Sequence, residues 1–287
     1  MVERACPVCG GCEPRTFCER DGVRFVRCGA CRSLYQAAEP DRARLAEIYA
    51  RDYHRLRGHS GNPAIEAVKQ ATMRAYLARL EKLRPPGRRL LEAGCSAGAG
   101  LAAAAAAGWQ AEGVELAGDA AEIARRRSGV RAVYQGRLED APLPAQGYDV
   151  IVLFDVIEHI DPPHGTLTAI HRLLRPGGLV LIVTPDATSL SARWFRSRWP
   201  HLFAEHVILF SRGGLRRILE AAGFRVERQG FAWKRVNLDM LVHHAEIHPH
   251  VLSGSVIKMA GRIAPRFLRG AMVPFNIGEF YVAARRI

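Results

Sequence analysis

Leu90-Leu91-Glu92-Ala93-Gly94-Cys95-Ser96-Ala97-Gly98-Ala99-Gly100-Leu101 is the stretch whose reading decides the fold. Arg88 to Glu92 reads as a short buried strand, the glycines follow at once, and Leu101 to Ala107 continues as an alanine-rich helix. Gly94 and Gly98 leave out Cβ atoms where a ligand would lie against the backbone. The new helix presents its first N–H groups and positive dipole end to that ligand. Such a turn at the carboxyl end of the first strand of a parallel α/β sheet is where nucleotide-like cofactors bind.

Neighbouring segments extend the pattern on both sides. Gln110 to Val114 is a second strand ending on Glu115, roughly 20 residues past the turn, where a carboxylate accepts hydrogen bonds from ribose hydroxyls. Gly118 to Ser128 reads as a helix and Val130 to Tyr134 as a third strand. Tyr148 to Leu153 is a fourth strand emptying into Phe154-Asp155-Val156-Ile157-Glu158-His159-Ile160, and Arg175-Pro176-Gly177-Gly178 turns into a fifth, Leu179 to Thr184. A dinucleotide dehydrogenase would want G-x-G-x-x-G; here the glycines fall as G-x-x-x-G-x-G.

LLEAGCSAGAGL, Glu115, VIEHIDPP and LLRPGGLVLIVTP together resemble the class I S-adenosylmethionine-dependent methyltransferases over roughly residues 70 to 230. The resemblance implies a Rossmann-like α/β fold with a seven-stranded, mostly parallel sheet whose last strand is antiparallel. Phe224 to Gly230 would be the sixth strand and Phe280 to Ala284 the seventh, at the sheet edge. It also implies a cofactor site formed by Glu92, Gly94, Cys95, Ser96, Gly98, Glu115, Leu116, Leu138 and Phe154. Arg137 stands where the family often has an Asp facing the adenine amino group, which leaves base recognition to the backbone near Leu138.

The likeness is nearest to methyltransferases of the ubiquinone O-methylation type, some of which hold a divalent cation through E-x-x-E-H after the fourth strand. This chain has D-x-x-E-H there: Asp155, Glu158 and His159. Hard oxygens plus an imidazole suit Mg²⁺ or Mn²⁺, while the alternative reading has Glu158 capping or pairing locally and His159 lining the pocket. The sulfonium is already a potent donor, so the protein's tasks are alignment and removal of an acceptor proton. His159 is the first candidate base and His206 the second; His206 lies in Glu205-His206-Val207-Ile208-Leu209-Phe210-Ser211, which resembles the family's E-H-x-x-x-F-S segment.

The first 36 residues carry Cys6-Pro7-Val8-Cys9, eighteen residues, then Cys28-Gly29-Ala30-Cys31. Two C-x-x-C knuckles at this separation match a closed, structural four-cysteine zinc site, with Thr16-Phe17 and Val23 to Arg27 as strands of a zinc ribbon. Cys12 and Cys18 fall outside it. Domains are expected as a ribbon over 1–36, a helical cap or linker over 37–84 and a methyltransferase domain over 85–287, with lid or insert regions at 188–210 and 235–275.

In the linker, Pro40 to Arg57 reads as a helix with Tyr49 and Tyr53 one turn apart, as cofactor lid or as core, and Ala64 to Leu83 as a long amphipathic helix. Basic and aromatic residues alternate in Arg193-Trp194-Phe195-Arg196-Ser197-Arg198-Trp199-Pro200, read as a substrate lid with inward aromatics and, in addition, as a peripheral membrane contact. His243-His244-Ala245-Glu246-Ile247-His248-Pro249-His250 reads as a helix end or polar loop, and Lys258 to Met272 as a basic amphipathic segment.

The chain of 287 residues is 48% hydrophobic and 24% charged, a soluble globular composition, and carries a net charge of +13. No run is apolar enough to span a bilayer and no signal peptide is read, so a cytoplasmic location is expected. The charge favours anionic partners, yet it is mostly arginine without a block of five like charges. The reading is a small-molecule methyltransferase acting on a hydroxyl of a sugar or glycan precursor, a quinone-like lipid or a secondary metabolite. The alternative is a ribosomal-RNA base methyltransferase using the ribbon for RNA, for which the N-P-P-Y tetrapeptide of exocyclic amino methylation is missing. A fold that has lost activity is opposed by the intact Glu92, Gly94, Gly98 and Glu115.

Overall fold

A computed structural model describes residues 4–41, 43, 62–127, 129–247 and 254–287. The helix read over Pro40 to Arg57, with Tyr49 and Tyr53, lies almost wholly outside the described residues, as does the end of the histidine run at 248–250. The chain begins with β1 (Pro14–Arg20), β2 (Val23–Cys28) and β3 (Leu34–Gln36), then α1 (Pro63–Glu81), which Asn62 caps by accepting from Ala64 N. The α/β body follows as β4 (Arg89–Ala93), α2 (Ala99–Ala106), β5 (Gln110–Glu115), α3 (Gly118–Arg125), β6 (Ala132–Gln135), β7 (Tyr148–Phe154), α4 (His164–Leu173) and β8 (Leu174–Pro185). Then come α5 (Leu190–Phe195), β9 (Ile208–Leu209), α6 (Arg212–Ala221) and β10 (Phe224–Phe231). The last stretch is β11 (Lys234–Val236), α7 (Leu238–Ile247), α8 (Gly254–Ile263), α9 (Arg266–Arg269), β12 (Val273–Phe275) and β13 (Glu279–Arg286).

Seven strands form the main sheet in the order β10-β13-β8-β7-β4-β5-β6. β8, β7, β4, β5 and β6 pair in parallel, and β13 runs antiparallel to both β8 and β10. The seventh strand is therefore not at the edge as expected. Phe280, Val282 and Ala284 are fully buried between β8 and β10, while the more exposed β10 takes the edge. β8 also starts earlier than Leu179: Leu174 pairs with Tyr148, and the Arg175–Gly178 turn is a bulge before pairing resumes at Leu179.

The near-continuous apolar strands are explained by burial on both faces. On one face Leu90, Val150, Val152 and Leu181 meet Met73, Tyr76 and Leu80 of α1 and the alanines of α2 and α3. On the other, Leu91, Ile151, Leu153 and Ile182 meet Ile170 and Leu173 of α4 and Leu215 and Leu219 of α6. Val8, Val26 and Tyr35 of the amino-terminal unit belong to this second core.

That unit is joined to the body by hydrogen bonds as well. β1, β2 and β3 form an antiparallel sheet completed by β9, with Leu34 opposite Leu209 and Tyr35 opposite Ile208. The third and fourth strands were not foreseen. Ser211 caps α6 by accepting from Gly214 N at 2.9 Å and donates to Cys31 O at 2.5 Å, while Ser211 N donates to Ser33 Oγ at 3.0 Å. The segment read as one basic amphipathic stretch over Lys258 to Met272 is divided between α8 and α9 at Pro265, which cannot continue a helix.

Candidate active site

A cavity of about 720 Å³ opens where β4, β5 and β7 end. Gly94 and Gly98 both hold left-handed backbone, at φ +72° and +76°. A Cβ on Gly94 would stand 2.4 Å from Val156 Cγ2, and one on Gly98 would stand 2.9 Å from Ala124 Cβ. Gly94 thus keeps the cavity wall thin, whereas Gly98 is the N-cap of α2 packed on α3 and does not line the cavity. Glu92, Cys95, Ser96, Leu116, Leu138 and Phe154 all line it.

Glu115 is buried at the end of β5, where Ser96 N donates to one carboxylate oxygen at 2.7 Å and Ala117 N to the other at 2.9 Å. Backbone donors on both oxygens hold the carboxylate in one orientation. Glu92 is its opposite in character. Burial, aided by Glu115 and opposed by Lys69, raises its carboxyl to about 8, and its Oε2 has no hydrogen-bond partner among the described residues. Lys69 of α1, a residue the sequence reading missed, donates to Ser96 Oγ at 3.1 Å; burial pulls its ammonium down while Glu92, Glu115 and Asp155 pull it up. A buried carboxyl and an ammonium side by side suit an α-amino acid head, one group for each of its charges. Only the fold brings α1 over the glycine loop, so no local signal in the sequence could have found Lys69.

Beyond the cofactor end, Ile157–His159 forms a 3-10 turn that places Glu158 and His159 in the cavity. Glu158 is fully buried, accepts from Thr184 Oγ1 at 3.0 Å and holds Val207 N on its backbone carbonyl. Its Oε1 lacks a partner among the described residues, and burial and then Asp155 push its pKa well up. His159 Nδ1 donates to Glu205 O at 3.0 Å and His206 Nδ1 to His201 O at 2.7 Å, and the two rings meet edge to face at 4.6 Å. A carbonyl acceptor on each Nδ1 places the proton there and makes Nε2 the basic nitrogen. Glu158, His159 and His206 bring their ligand atoms within 4.8 Å of one another.

Asp155 does not join that group, contrary to the expected set of Asp155, Glu158 and His159. It sits at φ +54° and its carboxylate accepts from Lys234 Nζ at 2.6 Å. The same ammonium donates to Glu279 at 2.6 Å. Burial would lower Lys234, but the two carboxylates outweigh it and keep the ammonium charged, while burial raises Glu279 to about 7 against the pull of Lys234. Lys234, carried by β11 far along the chain, is another charged cavity residue that the sequence reading missed.

At the amino end the four Sγ atoms of Cys6, Cys9, Cys28 and Cys31 lie within 4.8 Å of one another, with Cys6 to Cys31 at 3.7 Å and Cys9 to Cys28 at 3.5 Å. A tetrahedral S₄ site with metal–sulfur bonds of about 2.3 Å has sulfur pairs about 3.8 Å apart, and a disulfide about 2.05 Å. The spacing therefore fits a tetrahedral metal and not two disulfides. Cys12 and Cys18 lie outside the cluster.

The sheet with its inserted antiparallel strand, the glycine loop and the pinned Glu115 define a class I S-adenosylmethionine-dependent methyltransferase. The chain belongs to the methyltransferase domain family, whose model matches residues 66–229, more than half its length. A Mycolicibacterium smegmatis protein named as an S-adenosylmethionine-dependent methyltransferase is 35% identical over 150 residues, covering 50% of this chain and 54% of that one. A ubiquinone biosynthesis O-methyltransferase of Bordetella avium is 34% identical over 103 residues, 34% of this chain and 43% of its own. The chain thus spans about half the length of the curated relatives it matches. An Archaeoglobus fulgidus S-adenosylmethionine-dependent methyltransferase structure shares the fold at a TM-score of 0.51 and 21% identity, covering 76% of this chain and 94% of that one. Among the described residues no helix is long and apolar enough to cross a membrane.

Proposed function

We propose that this enzyme moves a methyl group from S-adenosylmethionine to a hydroxyl of a small acceptor, with His206 and His159 as the proton-accepting pair. The observation that carries this is the edge-to-face imidazole pair in the cavity wall, each Nδ1 bonded to a backbone carbonyl. Glu92 and Lys69 would take the amino-acid head of the cofactor, Glu115 its ribose and Leu138 with Phe154 its adenine side. The sulfonium supplies the electrophile, so the chain's own contribution is alignment, exclusion of water and removal of the hydroxyl proton as the bond to carbon forms. The relatives named for ubiquinone O-methylation favour a phenolic or quinol-like hydroxyl; sugar and secondary-metabolite hydroxyls belong to the same chemistry.

Transfer of labelled methyl to a panel of phenols, sugars, amines and RNA tests the reading. His206→Gln and His159→Gln are expected to lower kcat by about 10²–10⁴-fold while binding of S-adenosylhomocysteine stays within a few-fold. Label appearing only in RNA or in amines would overturn it.

A second reading rests on the unpartnered Glu158 Oε1 beside the two imidazoles. One carboxylate and two imidazoles suit a divalent cation of the Zn²⁺ or Mn²⁺ type better than Mg²⁺. Bound there, it would lower the pKa of the acceptor hydroxyl. A metal content of two per chain, falling to one in Glu158→Gln with the cysteine cluster intact, would establish it; one in both would dismiss it. We assign the cysteine cluster a structural Zn²⁺, since four thiolates close the coordination sphere and leave no position for substrate.

A further inference from the structure

The segment from α5 to His201 has two sides. Trp199 is fully buried, donates its indole N–H to Ser191 Oγ and stacks edge to face on His201 at 5.1 Å, and His201 lines the cavity. The other side faces water: Trp194 is 86% exposed and Leu190 74% exposed. Four residues apart on α5, they share one helix face. Side by side on one face, the two form an exposed apolar patch, the kind of surface that marks an interaction site where isolated apolar residues would not.

Guanidinium groups surround this apolar face. Arg193, Arg196 and Arg198 are exposed beside it, and no Asp or Glu occurs from 187 to 204. The ribbon contributes to the same surface. Arg196 lies over the Phe17 ring at 5.8 Å, Arg27 over the same ring at 4.9 Å, and Arg20 donates to Trp199 O at 2.9 Å. Burial first, and then the nearby Arg32, Arg196 and Arg193, hold Arg27 below the usual guanidinium range. The nearby acids do little to offset these guanidinium charges: Asp186 is buried and bound to Arg212 at 2.7 Å, and Asp21 pairs with Arg20 at 3.5 Å. Trp233 and Phe275, beside and within the paired strands β11 and β12, are also exposed, and Ser191 Oγ donates to Ile277 O at 2.7 Å.

We infer that α5 and the adjoining ribbon surface dock the enzyme peripherally on a bilayer rich in anionic lipid, with Leu190 and Trp194 entering the interface and the arginines meeting the headgroups. Indole rings are preferred at the level of lipid headgroups, and basic residues beside them add attraction to anionic lipid. The exposed Leu190 beside Trp194 favours a bilayer over nucleic acid, since an aliphatic side chain pairs with no phosphate and gains most by entering an acyl layer. The inference is independent of which acceptor is methylated.

The test is flotation of the full-length, zinc-loaded protein with phosphatidylcholine vesicles and with vesicles containing phosphatidylglycerol. Association with the anionic vesicles alone, weakened by salt, is expected. Leu190→Ser with Trp194→Ser, and separately Arg193→Glu with Arg198→Glu, should each weaken it on the order of tenfold or more. S-adenosylhomocysteine binding and melting temperature report that both double variants remain folded. Absence of flotation, equal flotation with neutral vesicles, or flotation unchanged by both double variants would overturn the inference. Retention of an RNA oligonucleotide without vesicle binding would overturn it in favour of a nucleic-acid surface.

Discussion

Gly94 is legible twice, as a glycine in the sequence and as a φ of +72° with Val156 Cγ2 2.4 Å from where its Cβ would be. Gly94→Ala combines a left-handed alanine with a clash and is expected to cost about 2–4 kcal/mol, read as a lower melting temperature and weaker S-adenosylhomocysteine binding. Glu92 predicts a pH dependence. Its carboxyl is raised to about 8 in the free protein; a cofactor ammonium held there, as proposed, would stabilise the carboxylate, so binding would expel a proton. Affinity should therefore be weaker at pH 6 and rise until about 8. Titration calorimetry in buffers of different ionisation enthalpy checks it, with Glu92→Gln removing the proton release. The same shift bears on folding: a raised carboxyl favours the folded state below its unfolded value near 4.5, and that contribution is lost as pH rises through about 8. Lys69 and Lys234 were invisible at this scale because a lysine on a helix or short strand has no signature until its neighbours are known.

At the scale of elements the decisive contact is β3 on β9. The E-H-x-x-x-F-S segment contains both His206 and this two-residue strand, so the ribbon's sheet holds the segment that carries His206. Structural zinc contributes on the order of 10 kcal/mol to small domains, comparable with the whole stability of many proteins. Removing it is expected to loosen β3 and β9 together. Hydrogen exchange should rise at Leu34–Gln36 and Ile208–Leu209 in the same step, and activity should fall at least tenfold while cofactor affinity changes only a few-fold. Activity unaffected by zinc loss would reduce the ribbon to an ornament of the fold. The glycine loop, the strands and the α6 cap at Ser211 were readable because each is set by neighbours within a few residues. The β3–β9 pairing joins residues far apart in the chain through backbone groups, which every sequence possesses.

Among the described residues the amino-terminal unit and the sheet body share a core. Val8, Val26 and Tyr35 share a core with Ile170, Leu215 and Phe280, and Ser33 reaches the α6 cap. Deletion of residues 1–36 would strip cover from Ile208, Leu209 and Phe210, all fully buried here. We expect the truncated chain to lose its near-ultraviolet circular dichroism and its S-adenosylhomocysteine binding, whereas a separable appendage would leave both intact. Local pattern determined the sheet, the cofactor loop and the four-cysteine cluster, because strand runs, glycine positions and knuckle spacing are written in short windows. Tertiary structure alone decided that β13 lies inside the sheet, that Lys234 takes Asp155 and leaves His206 to join Glu158 and His159, and that Trp199 turns inward while Trp194 faces water. Those outcomes depend on which surfaces compete for burial and which charges meet, and both are settled only when distant segments pack together.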